Sequence, residues 1–178
     1  QHYGVDTRYL FQDARAKTAL AFVAHDEKGE RSFAFYRDAS ADLLFSKAQI
    51  TPQLFDGGKV LHFCSNTLVE QDIAEVTEYL MQQAKSQGLW LSFDVNLRHN
   101  LWFEAQANAG LVRRFVAQAD ILKFSLDEIL YLLQDTNMDI PAYVQHLLSH
   151  KAQLVVITHD DKPLQYFSRY VQGVLPVP

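Results

Sequence analysis

The sequence predicts an α/β fold: a doubly wound, mostly parallel sheet flanked by helices, with a small β hairpin ahead of it. Three observations carry that expectation. From about residue 60, short apolar runs alternate with amphipathic stretches of helical period, the rhythm of strand–helix–strand units. The runs KVLHFC, LWLSF, ILKFS and LVVITH are largely apolar, as interior parallel strands are. At 178 residues, 48% hydrophobic and 21% charged, the chain has the make-up of an ordinary globular domain with a sizeable core.

The elements follow in order. Thr18 to Val23 and Arg31 to Arg37 read as two strands around the turn segment DEKGE, Asp26 to Glu30, where Gly29 relaxes the backbone. In the second strand Phe33, Phe35 and Arg37 share one face and Ser32, Ala34 and Tyr36 the other. With aromatics on both faces, this hairpin must cover something or pair with a partner. After KVLHFC, Thr67 and Glu70 have capping-box spacing before a helix with Ile73, Val76 and Leu80 inward, ending at Gly88. LWLSFDVN is the next strand and Glu104 to Gln118 the next helix. ILKFS runs straight into a helix over Leu126 to Leu133, residues 141 to 149 form another, and LVVITH is a buried strand. The final LQYFSRYVQGVLPV reads as a hairpin or meander. The organisation expected is a lead-in over 1–17, lid strands over 18–45 and an α/β core over 46–178. The chain opens at Gln1 without a methionine and stops at VLPVP, so both ends are expected to be cuts through a longer protein.

Charge and cysteine content narrow the function classes. A net charge of −5 argues against a general nucleic-acid binder but leaves room for an anionic ligand, which responds to the local field. Cys64 is the single cysteine, which excludes an intrachain disulfide and fits a reducing cytoplasmic compartment. No apolar run approaches the roughly 20 residues of a membrane span.

Three strand ends deliver polar groups that a parallel sheet places along one edge, where open α/β sheets bind ligands. They are Asp94-Asn96-Arg98, then Ser125 with Glu128, then Thr158-His159-Asp160. Strand-to-helix turns are polar in any protein, since Ser and Asp cap helices and Asn tolerates turns. Three together, one with an arginine, favour a site. Other features weigh less. His146 and His150 stand four apart on an expected helix but lack a third ligand, so a solvated helix end is the simpler reading. His62 and Cys64 alternate on a strand, which suits a core cysteine beside a satisfied histidine. Phe11, Phe33 and Phe35 suit core or interface.

These residues resemble the ribokinase-like (PfkB) carbohydrate kinases, and the fructokinase branch most of all. TALAFVAHDEKGERSFAFYRDASADLLF is similar to the lid strands of that family, and LHFCSNTL to the strand after them. FDVNLRHNLW resembles the Asp-x-Asn-x-Arg segment, ADILKFSLDEILYLL the element carrying Asn/Ser-x-x-Glu, and VVITHDDKPLQYF the strand ending in Thr-x-Gly. The resemblance implies ATP-dependent phosphorylation of a sugar, fructose at its 6-hydroxyl, with magnesium. It implies that Arg37 reaches the sugar or its surroundings, and that Asp94, Asn96 and Arg98 lie at the sugar–phosphate junction. Ser125 would touch nucleotide phosphates, Thr158 and Asp160 would lie near the nucleotide, and Glu128 would hold magnesium through water. On the residues alone, Arg37 pairs as readily with Asp38 or Asp42, Glu128 is a first-turn acid, and Thr158 satisfies a strand-end backbone group.

Departures matter equally. No Gly-Ala-Gly-Asp segment, which supplies the family's catalytic aspartate and anion hole, occurs in the chain. Asp160 stands where the family has glycine, which puts close backbone approach to a nucleotide in doubt. The 178 residues alone are therefore expected to be inactive. A non-catalytic sugar- or partner-binding relative is the alternative, as is a kinase for a keto-deoxy sugar acid or an aminoimidazole riboside. A homodimer through the lid strands is a further expectation, carried by Phe33, Phe35 and Tyr36.

Overall fold

The computed structural model describes residues 3–27, 29 and 31–176, with Arg31 described by its backbone alone. Of the turn expected over 26–30, Lys28 and Glu30 lie outside the described residues, as do Gln1, His2, Val177 and Pro178.

Two strands, β1 (Leu20–His25) and β2 (Arg31–Tyr36), pair antiparallel as a separate two-stranded sheet. Short 3-10 turns over Ala41–Leu44, Lys47–Gln49 and Pro52–Phe55 lead on to β3 (Val60–Cys64). Then follow α1 (Gln71–Ser86), β4 (Trp90–Asp94), α2 (Ala109–Val116), β5 (Ile121–Ser125), α3 (Leu126–Leu133), α4 (Ile140–His150), β6 (Leu154–His159), β7 (Lys162–Ser168) and β8 (Gln172–Leu175). The last six strands form one sheet in their sequence order. Strands β3 to β6 run parallel, and β7 and β8 add an antiparallel meander. This is the α/β class expected, down to the hairpin that precedes it.

Every parallel crossover steps the same way along the sheet, so right-handed connections bring the helices to one face. Burial follows. Phe63, Leu91, Phe93, Val95, Leu122, Phe124, Val155 and Ile157 are buried on that side beneath Met81, Val112, Phe115, Ile129 and Leu132. Phe63 stacks on Phe93 at 4.5 Å between centroids and meets Phe115 edge-on at 6.3 Å. The alternate residues are only half-covered: Val60 and Trp90 are about half exposed, and His62 is exposed with Nδ1 3.0 Å from Ser92 Oγ. His62 is thus not a core residue, because its face of β3 carries no helix among the described residues. Asp120 ties three strands together. Its Oδ2 accepts from the Leu91 N–H at 2.8 Å, its Oδ1 meets Lys151 Nζ at 2.5 Å, and its carbonyl accepts from the Gln153 N–H at 2.7 Å.

Two helix starts differ from expectation. Thr67 and Glu70 form no capping box: Ser65–Leu68 makes a 3-10 turn in which Thr67 Oγ1 donates to the Cys64 carbonyl at 3.1 Å. Helix α1 instead begins after Glu70, whose side chain makes no cap bond. The helix expected from Glu104 begins at Ala109, because Glu104 and Ala105 take positive φ of 53° and 52° within a segment of 3-10 turns. Asn108 is the cap there, its side chain accepting from the Leu111 N–H at 2.9 Å.

Candidate active site at the strand ends

The carboxyl ends of β3 to β6 lie side by side, so residues far apart in sequence meet along one edge. Cys64 is the register partner of Asp94, Asp94 of Lys123, and Ser125 of Thr158. The expected groups of the three strand ends, those of β4, β5 and β6, therefore do line one border of the sheet.

The turn after β4 is the densest part. Asn96 takes φ of 38°, a left-handed conformation that asparagine tolerates better than most residues. Its carbonyl accepts from Ser65 Oγ at 3.2 Å, and the next amide, Leu97 N–H, donates to Glu128 Oε1 at 2.8 Å. Asp94 Oδ1 is buried without a hydrogen-bond partner, while Lys123 Nζ stands 3.2 Å away and supplies charge. Arg98 has no carboxylate partner among the described residues. Its guanidinium carbon lies 4.8 Å from the centre of the Phe33 ring, in cation–π range. An arginine held by an aromatic face and free of ion pairs keeps its fork of donors available to an anion.

Glu128 is 8% exposed, and both its oxygens are engaged. Oε2 accepts from the Ser125 N–H at 2.7 Å while Ser125 Oγ accepts from the Glu128 N–H at 3.2 Å, a reciprocal capping box at the start of α3. Each Glu128 oxygen thus already accepts one backbone N–H. No group of three or more His, Cys, Asp or Glu side chains with metal-binding geometry occurs among the described residues. Thr158 Oγ1 donates to the Phe124 carbonyl at 3.3 Å. Asp160, with φ of 45° and its side chain 85% exposed, forms the tight turn into β7. It adopts the backbone region for which glycine is the usual residue, at the small cost an aspartate pays there.

Arg37 stands apart from the turn after β4. Its guanidinium pairs with Asp42 at 2.7 Å and donates from Nη1 to the Asn66 carbonyl at 2.8 Å, with the side chain 13% exposed. It fastens the base of the hairpin to the core. Burial alone would raise the Asp42 carboxyl, yet hydrogen bonds from Ser40 and Arg37 and the arginine's charge hold it below its ordinary value. The hairpin is tied a second time where Asn100 Nδ2 donates to the Phe33 carbonyl at 3.0 Å. Phe33 and Phe35 stack at 6.2 Å on the face turned to the core, whereas Leu20, Phe22 and Tyr36 lie exposed on the other. The outer aromatic face therefore carries Phe22 and Tyr36, with Phe33 and Phe35 turned inward.

Sequence reasoning passed over Lys123, Asn66 and Asn100. Lys123 is a charged residue inside an apolar strand, a visible signal. Asn66, whose Oδ1 is buried without a partner, and Asn100 carry no signal beyond their place in polar turns. His146 and His150 lie 4.2 Å apart between ring centroids, tilted at 38°, in the last turns of α4 that lead into the amino end of β6, with His150 Nδ1 2.8 Å from the His146 carbonyl. A groove of about 950 Å³ runs past Glu70, Glu78, Trp102 and Arg114, and none of the strand-end candidates lines it. No helix among the described residues is long and apolar enough to cross a membrane.

Comparison with known proteins places this geometry. The profile of the pfkB family carbohydrate kinases matches residues 1–178. A probable fructokinase-5 of Arabidopsis thaliana is 33% identical over 174 residues, 97% of this chain and 53% of the relative. Fructokinase of Xylella fastidiosa with bound ATP is 39% identical with a TM-score of 0.83, covering 93% of this chain and 51% of that one. Fructokinase of Vibrio cholerae O395, bound to fructose, ADP and calcium ion, is 31% identical with a TM-score of 0.80, covering 97% and 55%. The chain spans about half the length of these relatives.

Proposed function

Because the chain belongs to the pfkB family of carbohydrate kinases, we propose that the whole protein transfers the γ-phosphoryl group of ATP to the 6-hydroxyl of fructose. The observation that carries the proposal is the turn after β4, where Arg98 stands near Asp94 and Asn96 with no carboxylate partner among the described residues. The relatives bound to ATP, or to fructose and ADP, support the choice of ligands.

In the reaction the sugar hydroxyl oxygen bonds to the γ-phosphorus, and the bond to the bridging oxygen breaks, releasing ADP. The hydroxyl proton passes to a base. Phosphoryl transfer asks a protein mainly for positioning and positive charge. Asn96 and Asp94 would bind sugar hydroxyls, and Arg98 would meet the transferring group. Ser125, Thr158 and Asp160 border the nucleotide side. Arg37 acts on the sugar only indirectly, by holding the hairpin that covers it. Glu128, whose oxygens each already accept one backbone N–H, would help hold magnesium through water. The base and anion hole belong to a Gly-Ala-Gly-Asp segment that these 178 residues do not contain. We therefore expect the chain alone to bind ligands without turnover, in a cytoplasmic enzyme whose hairpins pair two copies.

A coupled ADP-release assay on the whole protein tests the reading. Fructose is expected to be the preferred acceptor in a panel with a keto-deoxy sugar acid and an aminoimidazole riboside. Preference for another acceptor would overturn the substrate, and absence of turnover with all of them would favour a non-catalytic sugar- or partner-binding relative. Appreciable turnover by the purified 178-residue chain would overturn the assignment of the base to an outside segment.

A further inference from the structure

The peptide group joining Asn96 to Leu97 is held at both ends by side chains from two other elements. Its carbonyl oxygen accepts from Ser65 Oγ at 3.2 Å, and its N–H donates to Glu128 Oε1 at 2.8 Å. Ser65 follows β3 and is fully buried, while Glu128 sits in the first turn of α3 and is 8% exposed. The carboxylate cannot swing away without cost, because its second oxygen holds the Ser125 N–H at 2.7 Å. A peptide gripped by a donor at its carbonyl and an acceptor at its N–H has one orientation.

That grip falls where the backbone most needs it. Asn96 has φ of 38°, a region in which a non-glycine residue stores backbone strain. The usual relief is rotation of the adjoining peptide. Here rotation would turn the carbonyl oxygen toward the Glu128 carboxylate, oxygen against oxygen, and strip Leu97 N–H of its acceptor. The orientation of this peptide sets the last backbone angle of Asn96 and the path of the chain to Arg98.

We propose that Ser65 and Glu128 are positioning residues that lock the Asn96–Leu97 peptide and so aim Asn96 and Arg98 at the bound sugar and its phosphoryl group. The proposal rests on the sugar-kinase reading. Ser65 makes the test clean, because its buried hydroxyl touches a backbone carbonyl and neither substrate nor metal. A carboxamide at position 128 offers only one acceptor oxygen for the two N–H groups that the carboxylate now holds.

The experiment follows amide hydrogen exchange and calorimetric fructose binding on the full chain and on Ser65→Ala and Glu128→Gln. Both variants are expected to raise exchange at Leu97 and to weaken fructose binding by about tenfold, the scale of one lost hydrogen bond. Phe93 and Leu122 amides should stay protected, which a general loosening of the core would not allow. Unchanged Leu97 exchange in both variants overturns the lock. Faster Leu97 exchange with unaltered fructose affinity overturns the positioning role. If the unsubstituted chain itself shows no affinity for fructose, the substrate reading fails, and the exchange measurement still decides the lock.

Discussion

Replacing Asn100 with alanine should loosen the hairpin without weakening the core. The hairpin is a two-stranded sheet, a form that is marginal in water unless it docks on something. Strand β1 is exposed along its whole length, so docking depends on β2. Three side-chain ties supply it: Asn100 Nδ2 to the Phe33 carbonyl at 3.0 Å, Arg98 over the Phe33 ring at 4.8 Å, and Arg37 to the Asn66 carbonyl at 2.8 Å. A neutral hydrogen bond of this kind contributes about 0.5–1.5 kcal/mol net. Its loss should multiply the undocked population by roughly two to twelve, with 0.59 kcal/mol as the thermal energy. Amide exchange over 31–36 should accelerate by that factor in Asn100→Ala, while exchange at Leu91 and Phe93 stays fixed. A second substitution, Phe33→Leu, removes the cation–π contact, worth about 0.5–1 kcal/mol at an exposed site, and should accelerate the same exchange, coupled to the first because Asn100 bonds the Phe33 carbonyl. Unaltered exchange over 31–36 in both variants would refute the idea that this loop holds the hairpin. Parallel acceleration in the core would show that Asn100 supports the whole domain instead.

In the whole protein, Arg98→Ala is expected to lower kcat/KM for fructose by roughly ten- to a hundredfold, the range of a charged hydrogen bond, in steady-state ADP release. Asp120→Ala leaves the fully buried Leu91 N–H without an acceptor and should cost about 2 kcal/mol in urea unfolding. The folded Asp42 carboxyl lies below its ordinary value near 3.8, so its bonds to Ser40 and Arg37 stabilise the hairpin base above that pH and are lost as pH falls through the lower folded value. Exchange over 31–36 should rise in that acid window, and Asp42→Asn should flatten the rise. Two copies should meet through Leu20, Phe22 and Tyr36, so Phe22→Glu is expected to shift light scattering toward monomer.

Much of this fold is written in local pattern. Leu126 to Leu133 is legible as a helix because Ser125 and Glu128 cap it reciprocally, three residues apart, and its apolar period is unbroken. The parallel strands are legible as apolar runs for the same reason. The start of α2 is not, because Glu104 and Ala105 are good helix formers that stand exposed in left-handed conformations, the Ala105 N–H bonded locally to the Trp102 carbonyl. At the site, residue types and their place at strand ends are legible, but engagement is not. That Glu128 spends an oxygen on Leu97, 31 residues away, or that Arg37 is tied down by Asn66, 29 residues away, depends on sheet order. Asp160 reads in the sequence as an ordinary turn aspartate, and only the structure shows its φ of 45°.

The strand order also bears on how the molecule comes to be built. Each strand from β4 to β8 pairs with the one synthesised just before it, so the sheet can grow from β3 toward β8 as chain emerges, without waiting for a distant partner. The hairpin obeys a different clock. Its strands pair locally and early, yet Phe33 finds its dock on Asn100 only 67 residues later. Until then Phe33 lacks that dock, although its strand partner is already in place.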